Sequence, residues 1–251
     1  GDPRCRIIGV LTYKGGTAKT TTVVNVAAGL ALRGARVLCI DLDAQGGLAT
    51  WFNVSYTHSL SHLLMGEADA RSCAVQAREN LEFIASDRSL LDAERWLWRA
   101  GERAKQVLAE RMQGVDGYDF ILLDFSPSLS LVGECGLLYS REIVVPVAMD
   151  YMALVGTRQV VETLKTVSRV PGTAVHLSLI VPTFYNERQR LDREVMGLLQ
   201  AHFPGRIADP IRANIKLSEA PSHGMTVYEY APRSTGAEDY ARLVERIVRG
   251  G

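Results

Sequence analysis

Residues 13–22 combine two lysines, two glycines and four threonines in an order that suits phosphate binding. The stretch reads Tyr-Lys-Gly-Gly-Thr-Ala-Lys-Thr-Thr-Thr and follows a short apolar run. Gly15 and Gly16 lack a Cβ, so a turn here can point its backbone N–H groups inward, toward an anion. A helix that begins near Lys19 would aim the positive end of its dipole at the same place. The stretch therefore predicts a phosphate-binding loop between a strand and a helix.

The residues that follow the loop have side chains suited to a nucleotide with bound magnesium. Lys19 can reach the β- and γ-phosphates, Thr20 can place its hydroxyl on Mg²⁺, and Thr21 can bond an earlier phosphate. The common loop pattern of Gly, four free positions and Gly-Lys-Ser/Thr is not met, because Tyr13 and Ala18 occupy both glycine positions. A methyl group at residue 18 requires a negative φ or costs strain.

Acidic residues end two further apolar runs. Residues 37–46 read Val-Leu-Cys-Ile-Asp-Leu-Asp-Ala-Gln-Gly, and residues 118–127 read Tyr-Asp-Phe-Ile-Leu-Leu-Asp-Phe-Ser-Pro. Asp41 and Asp43 share one face of an extended chain, so one can join a magnesium shell while the other positions an attacking water. Asp124 stands where a second carboxylate of that shell is expected. Acids at these strand ends, in order after the loop, predict a nucleotide-hydrolysing site.

Short apolar runs alternate with longer amphipathic segments along the chain. The runs are rich in Val, Ile and Leu, which is typical of strands buried on both faces of a parallel sheet. We predict strands at Cys5–Thr12, Arg36–Asp41, Leu81–Ala85, Phe120–Asp124, Glu142–Val147 and Val175–Val181. We predict helices at Lys19–Arg33, Ser59–Met65, Arg88–Met112, Leu129–Ser140, Leu154–Ser168, Asn186–His202 and Gly236–Arg249. This alternation predicts one doubly wound, mostly parallel α/β domain over residues 1–251, with ligands beyond the carboxyl ends of the strands.

The overall composition indicates which classes of protein this chain can belong to. The chain has 251 residues, 47% of them hydrophobic, which is enough for one large α/β domain. The formal net charge is zero, so any surface for nucleic acid has to be local. The four cysteines are scattered, no stretch reaches the ~20 apolar residues of a membrane span, and the first residues lack a signal-peptide layout. These features favour a cytoplasmic protein with reduced thiols and no membrane partner.

Together the motifs resemble those of the ParA/Soj partitioning proteins, a branch of the deviant phosphate-loop (deviant Walker A) ATPases. The family loop Lys-Gly-Gly-x-Gly-Lys-Thr-Thr is in register with residues 14–21, and Asp-x-Asp-Pro-Gln-Gly is in register with residues 41–46. Residues 214–224, Asn-Ile-Lys-Leu-Ser-Glu-Ala-Pro-Ser-His-Gly, and residues 232–237, Pro-Arg-Ser-Thr-Gly-Ala, resemble the signature of the Soj branch. The likeness covers nearly the whole chain. It implies a P-loop NTPase fold, ATP or ADP with Mg²⁺ as ligands, and an ATP-dependent homodimer.

The resemblance also implies roles for individual residues. In the family, the lysine at the position of Lys14 crosses to the phosphates of the partner molecule, much as an arginine finger does. Asp43 would be the water-orienting carboxylate and Asp124 the Walker-B acid. The adenine pocket would draw on Thr183, Phe184, Arg212 and Asn214. The expected sets are Lys14, Lys19 and Asp43 for catalysis, Gly15, Gly16, Thr17, Ala18, Lys19, Thr20 and Thr21 for the nucleotide phosphates, and Thr20, Asp41, Asp43 and Asp124 for magnesium.

A role on DNA follows from the same resemblance. Members of the family bind double-stranded DNA without sequence preference as ATP dimers, through basic residues of the C-terminal region. Arg188, Arg190 and Lys216 are the candidates here, although such residues are also typical of solvated helix faces. The usual partner is a ParB/Spo0J-type centromere-binding protein, whose basic N-terminal segment stimulates hydrolysis. The implied function is chromosome or plasmid partitioning by a nucleoid-associated ATPase.

Several alternatives remain open from the sequence. Ala18, where the family usually carries glycine, is compatible with a nucleotide-gated DNA-binding switch with little turnover, or with a tolerated variant. A MinD-like positioning ATPase would end in an amphipathic helix with bulky apolar residues and a basic face. Residues 236–249 are mixed in charge instead and resemble a packing helix. A nitrogenase iron-protein type needs two cluster cysteines per chain, and Cys135 alone stands in a suggestive place.

Overall fold

A seven-stranded sheet forms the centre of the computed structural model, which describes residues 4–128 and 130–250. The strands are β1 Arg6–Val10, β2 Val37–Asp41, β3 Ala74–Arg78, β4 Leu81–Ile84, β5 Phe120–Asp124, β6 Glu142–Ala148 and β7 His176–Thr183. Their order is β3-β4-β2-β5-β1-β6-β7, and every neighbouring pair is parallel except β3 with β4. The predicted doubly wound, mostly parallel α/β fold is confirmed.

Helices cover both faces of the sheet. Those in the described ranges are α1 Lys19–Leu32, α2 Gly47–Phe52, α3 Leu60–Leu64, α4 Ala70–Cys73, α5 Leu90–Ala100, α6 Val107–Arg111, α7 Leu131–Tyr139, α8 Met152–Val167, α9 Arg190–His202, α10 Ile215–Glu219, α11 Val227–Tyr230 and α12 Thr235–Val248. One hydrophobic core contains side chains of α1, α2, α11 and α12, and a second contains side chains of α3 to α9. Successive strand residues alternate between the cores, because Ile121 and Leu123 face one and Leu122 the other.

The predicted strands all occur, with ends that differ by at most two residues. The sequence did not reveal β3, an edge strand that pairs antiparallel with β4. Its residues Ala74–Arg78 are half-buried or exposed and contain no apolar run. A short edge strand whose side chains are only partly buried gives no hydrophobic pattern that would identify it.

The prediction of one continuous helix over Arg88–Met112 is wrong. The chain forms α5, a 3₁₀ turn at Gly101–Gln106 and then α6. Gly101 has a φ of 69°, which lies outside the helical region and ends α5. The sequence is amphipathic with helical periodicity on both sides of the turn, so the pattern alone does not show that the helix is interrupted.

Other helix starts also differ from the prediction, and α8 begins at Met152, two residues before the predicted Leu154. The helix predicted from Asn186 begins at Arg190, because the Asn186 side chain accepts a hydrogen bond from Arg188 N at 3.0 Å and forms a local turn instead. The predicted start at Leu129 lies outside the described residues. Helix α7 follows Ser130, whose hydroxyl accepts a bond from Gly133 N and caps the helix.

The carboxyl ends of β1, β2 and β5 meet at one edge of the sheet. β5 lies between the other two, and Asp124 is in register with Val10 on one side and Asp41 on the other. Residues 11–18 connect β1 to α1 at this edge. The predicted loop and the predicted acids therefore occupy the place where open α/β sheets bind ligands.

Candidate active site

Threonine hydroxyls hold the loop between β1 and α1. Thr12 Oγ1 donates to Lys14 O at 2.8 Å, and Thr17 Oγ1 donates to Thr12 Oγ1 at 2.8 Å. Thr17 and Thr12 are both buried, at 1% and 2% exposure. Gly16 has a φ of 77°, and a Cβ on Gly15 or Gly16 would meet nothing within 4 Å. The loop thus has a fixed base and open space beside its two glycines.

Ala18 adopts the left-handed conformation that favours glycine. Its φ is 65° and its ψ is 34°, at the N-cap position of α1. The alternative of a negative φ is therefore not realised, and the methyl group costs roughly 1–2 kcal/mol of backbone strain. No side chain caps this helix start, so N–H groups of the first turn face the loop and can bind an anion.

Lys19 and Asp124 form a buried ion pair at the bottom of the loop. Lys19 Nζ donates to Asp124 Oδ1, and Thr20 Oγ1 donates to Asp124 Oδ2 at 3.0 Å. Burial raises the pKa of Asp124, while the charge of Lys19 lowers it. Lys19 and Asp124 thereby place an ammonium and a carboxylate where a phosphate chain and a metal ion would meet.

Asp41 lies beside this pair, in register with Asp124 on the neighbouring strand. Its carboxylate accepts bonds from Asp43 N at 3.0 Å and Leu48 N at 3.2 Å. Burial, and then the neighbouring charge of Asp124, raise the pKa of Asp41 well above its usual range. The site therefore contains more buried negative charge than Lys19 balances, which suits an added divalent cation.

The protein supplies only part of such a cation's ligands. Among residues 4–128 and 130–250, no three His, Cys, Asp or Glu side chains converge on one point. Mg²⁺ is commonly held by one or two carboxylates, water and substrate phosphates rather than by an all-protein cage. Asp41, Asp124 and the Thr20 hydroxyl match that partial donor set.

Asp43 occupies the rim of the site. Its Oδ1 accepts a bond from Gln45 N at 3.0 Å, and its carbonyl accepts one from Gly46 N. The side chain is half-buried, whereas Asp41 is fully buried. The structure thus separates the two predicted acids: Asp41 lies against Asp124, and Asp43 faces the more open side.

Lys14 extends to a residue that the sequence motifs did not single out. Lys14 Nζ lies 2.6 Å from Asp150 Oδ2, just before α8. The preceding Tyr13 packs its ring on Gly156, where a Cβ would lie 2.1–2.4 Å from ring carbons. Asp124 is the last residue of β5 and Asp150 lies two residues beyond the end of β6, so a search for acids near strand ends could have found Asp150.

The predicted adenine residues lie in two neighbouring segments. Tyr185, directly after Phe184, forms an isolated parallel β-bridge with Arg212, and Ala213 N donates to Tyr185 O at 3.0 Å. Phe184 is 53% exposed and has a φ of 51°. Such a conformation is uncommon for a bulky residue and occurs often at ligand sites.

Three of these residues make bonds within the chain. Thr183 is fully buried, and its hydroxyl lies 3.1 Å from both Thr17 O and Val147 O, so it ties the loop to the sheet and does not face a ligand. Arg212 binds the buried Asp239. Asn214 caps α10 through its Oδ1, which accepts a bond from Lys216 N.

The candidate DNA-binding residues are exposed but not equivalent. Arg190 pairs with Glu194 at 2.8 Å, and Lys216 lies 3.9 Å from Glu219. Arg188 lines a cavity of about 620 Å³ together with Tyr185, Asn186, Glu187, Asp209, Pro210, Arg212, Ala213 and Arg242. The structure therefore brings Arg188 close to Arg212.

Three structural details bear on the alternatives. The apolar side chains of α12, including Tyr240, Leu243 and Ile247, are buried in the core with α1. Cys135 is buried and its thiol faces Ala104 O at 3.0 Å, as expected for an inert thiol. In the described ranges, no helix combines the length and apolar character that a bilayer crossing requires.

Comparisons with known proteins agree with this geometry. The AAA domain family model matches residues 5–177. The chain is 35% identical to the chromosome-partitioning ATPase Soj of Thermus thermophilus, over 98% of this chain and 96% of that protein. It is 30% identical to the chromosome partitioning protein ParA of Caulobacter vibrioides, over 97% of this chain and 94% of the other.

A solved structure with a similar fold has nucleotide bound. Cobyrinic acid a,c-diamide synthase of Mycobacterium smegmatis, with bound ATP analog and magnesium, superposes with a TM-score of 0.83 at 26% identity. The match covers 98% of this chain and 95% of that one.

Proposed function

This chain belongs to the ParA/Soj family of chromosome-partitioning ATPases, and from that membership we propose that it hydrolyses ATP, dimerises with ATP and acts in chromosome or plasmid partitioning. The observation that carries the proposal is the buried group formed by Lys19, Asp124 and Asp41 beneath the glycine loop. Asp41 and Asp124 suit a divalent cation, and Lys19 suits a phosphate chain.

The phosphate loop would bind the nucleotide through fixed donors. N–H groups of Gly15, Gly16 and the first turn of α1 would face the phosphates, and Lys19 would leave Asp124 to reach them. Thr20 and Asp124 would hold Mg²⁺, with Asp41 beside them. The cation would neutralise negative charge on the β- and γ-phosphates.

Hydrolysis would depend on one acid at the rim and one lysine from the partner. Asp43 lies on the open side of the site, where its carboxylate can orient a water toward the γ-phosphate. Lys14 of each molecule would reach the phosphates of the other molecule and neutralise charge there. Loss of the γ-phosphate removes that attraction, so the dimer would weaken after turnover.

Binding to the nucleoid would follow from dimerisation. A two-fold dimer doubles the exposed cations Arg188, Arg190 and Lys216, so a modest patch per chain can bind duplex DNA without reading its sequence. A ParB/Spo0J-type partner would stimulate hydrolysis and release the dimer from DNA. The protein would act in the cytoplasm on the nucleoid. The buried apolar face of α12 gives no support to a MinD-like lipid anchor.

The test is the molar mass in solution without nucleotide, with ADP and with ATP. Light scattering after size exclusion should show a dimer only with Mg²⁺ and ATP, and a monomer under every condition for Lys14→Ala. Binding of non-specific duplex DNA should require the same condition and fall steeply with salt. A monomer with ATP, or DNA binding that is independent of ATP, would contradict the proposal.

The strained conformation of Ala18 favours one second candidate. Its φ of 65° places a methyl group in the loop that binds the phosphates. The second candidate is a nucleotide-gated DNA-binding switch with little turnover. Phosphate release in single-turnover experiments, with and without DNA and a ParB-type partner, separates it from a cycling ATPase.

A further inference from the structure

The lysine expected to act on a partner molecule is engaged within its own chain. Lys14 Nζ donates to Asp150 Oδ2 at 2.6 Å. We infer that Asp150 is a positioning residue, which holds Lys14 in cis in the free chain and thereby restrains the ATP-dependent dimer. The inference rests on the proposed function, because it assumes that Lys14 acts in trans.

The cis contact and the trans contact compete for one ammonium group. A lysine that donates to Asp150 at the start of α8 is not extended toward a neighbouring molecule. Dimer formation would exchange the single carboxylate of Asp150 for a polyphosphate with greater negative charge, in both molecules. A ligand shifts such an equilibrium only by the difference between its affinities for the two arrangements. Here the nucleoside triphosphate would provide that difference, because its phosphates attract Lys14 of the neighbouring molecule in the dimer.

Both ends of the contact are attached to ordered backbone. On the loop, the Lys14 carbonyl accepts a bond from Thr12 Oγ1 at 2.8 Å, and the Tyr13 ring packs on Gly156 of α8. At the other end, Ala153 N donates to Asp150 O at 3.0 Å. Because both segments are already fixed, the pair loses less conformational entropy than two mobile surface side chains would.

The surroundings of Asp150 also favour the contact. Asp150 Oδ1 is buried and has no hydrogen-bond partner among residues 4–128 and 130–250. The Lys14 ammonium lies 5.9 Å from the centroid of the Tyr13 ring, which adds a weak attraction on the same side. A carboxylate that is partly shielded from water depends on Lys14 for the compensation of its charge.

The expected size of the restraint is moderate. The side chains of Lys14 and Asp150 are 40% and 37% exposed, so solvent screens their attraction. Pairs of this kind shift an equilibrium by up to about five-fold. Both molecules of a symmetric dimer would lose the contact, so its removal should raise the dimerisation constant by up to about 25-fold.

The test compares Asp150→Asn with the wild-type protein in two assays. Sedimentation equilibrium with Mg²⁺ and a slowly hydrolysed ATP analogue should show tighter dimers for Asp150→Asn by up to about 25-fold, while Asp150→Glu should restore the wild-type constant. In the nucleotide-free monomer, mass spectrometry after brief acylation should show faster modification of Lys14 in Asp150→Asn. Glu162→Gln, on the exposed face of α8, is the matched control and should change neither result.

Each outcome decides the inference. Unchanged or weaker dimerisation of Asp150→Asn would overturn it, since Asp150 would then be neutral or would support the dimer. Equal acylation of Lys14 in both proteins would overturn the cis contact itself. If the wild-type protein stays monomeric with ATP while Lys14 acylation still differs, the proposed function fails and the cis contact stands.

Discussion

Asp41 and Asp124 lie opposite one another on neighbouring parallel strands, and Lys19 forms an ion pair with Asp124. Burial raises the pKa of both carboxyl groups, most strongly for Asp41, where the charge of Asp124 adds to it. The nucleotide-free site therefore stores electrostatic repulsion that a divalent cation can relieve. This relation links metal binding, nucleotide binding and pH.

The Asp41 carboxyl should make stability depend on pH in a defined direction. A raised pKa means that the folded protein binds this proton more tightly than the unfolded chain does. The protonated carboxyl group therefore contributes its full share to the free energy of unfolding below the unfolded pKa. That share is lost as pH rises through the folded pKa. With EDTA and no nucleotide, Asp41→Asn should gain unfolding free energy relative to wild type as pH increases from about 4 to 7. Urea denaturation measures this free energy, and Asp116→Asn, where the side chain is 73% exposed, is the control. A constant difference across pH would contradict the prediction.

Replacing Ala18 by glycine should stabilise the nucleotide-free protein. The φ of 65° suits glycine, and the gain should be about 1 kcal/mol after the higher entropy of unfolded glycine is subtracted. Ala241→Gly, inside α12, should destabilise the protein by about 1 kcal/mol. Thermal and urea denaturation of both variants check the signs. If Ala18→Gly also leaves dimerisation and turnover unchanged, Ala18 is a tolerated variant and not a functional device.

Gly156→Ala should disturb the phosphate loop through Tyr13. The new Cβ would lie 2.1–2.4 Å from ring carbons, so the ring and the loop must shift, which typically costs about 1–3 kcal/mol. Gly197→Ala is the matched control, because a Cβ there meets nothing within 4 Å and the helix should gain up to about 1 kcal/mol. Denaturation midpoints measure the change in stability, and ADP affinity measures the disturbance of the phosphate loop. Equal stability of both variants would argue against the Tyr13 contact.

Thr183→Val should weaken nucleotide binding without direct contact to the nucleotide. The buried hydroxyl lies 3.1 Å from Thr17 O and Val147 O, and its loss should cost about 1–2 kcal/mol of stability. Calorimetry with ADP should show lower affinity for Thr183→Val and nearly normal affinity for Thr183→Ser. Thr166→Val, at an exposed site of α8, serves as control. Unchanged ADP affinity in Thr183→Val would show that the loop keeps its shape without this bond.

The salt dependence of DNA binding should identify the cations that touch phosphates. Each phosphate contact contributes about 0.9 to the slope of log affinity against log salt, so Arg188→Ala should lower that slope by about 2 in a dimer. Arg190→Ala should have a smaller effect, because Arg190 already pairs with Glu194. Arg169→Ala is the control, since this residue lies between the end of α8 and the start of β7, whereas Arg188 follows the carboxyl end of β7. Identical slopes for Arg188→Ala and wild type would exclude Arg188 from the interface.

The sequence is informative about those site residues whose positions follow from the order of strands and loops along the chain. Lys19 and Thr20 both contact Asp124, because a loop after β1 and an acid at the end of β5 share one edge of a parallel sheet. The ion pair of Lys14 with Asp150 was not anticipated, although the same rule applied to β6 would have placed an acid at this edge. The packing of Tyr13 on Gly156 had no local signal at all.

The sequence alone determined the six strands other than β3, the acids at the ends of β2 and β5, and the glycine loop, since apolar runs, turn glycines and strand-end acids follow from short-range backbone rules. Only the tertiary structure decided that Ala18 is left-handed, that Thr183 ties the loop to the sheet, and that Lys14 binds Asp150. The latter two contacts join residues more than 100 positions apart in the chain. Such contacts depend on how helices pack on the sheet, and local spacing carries no information about that packing.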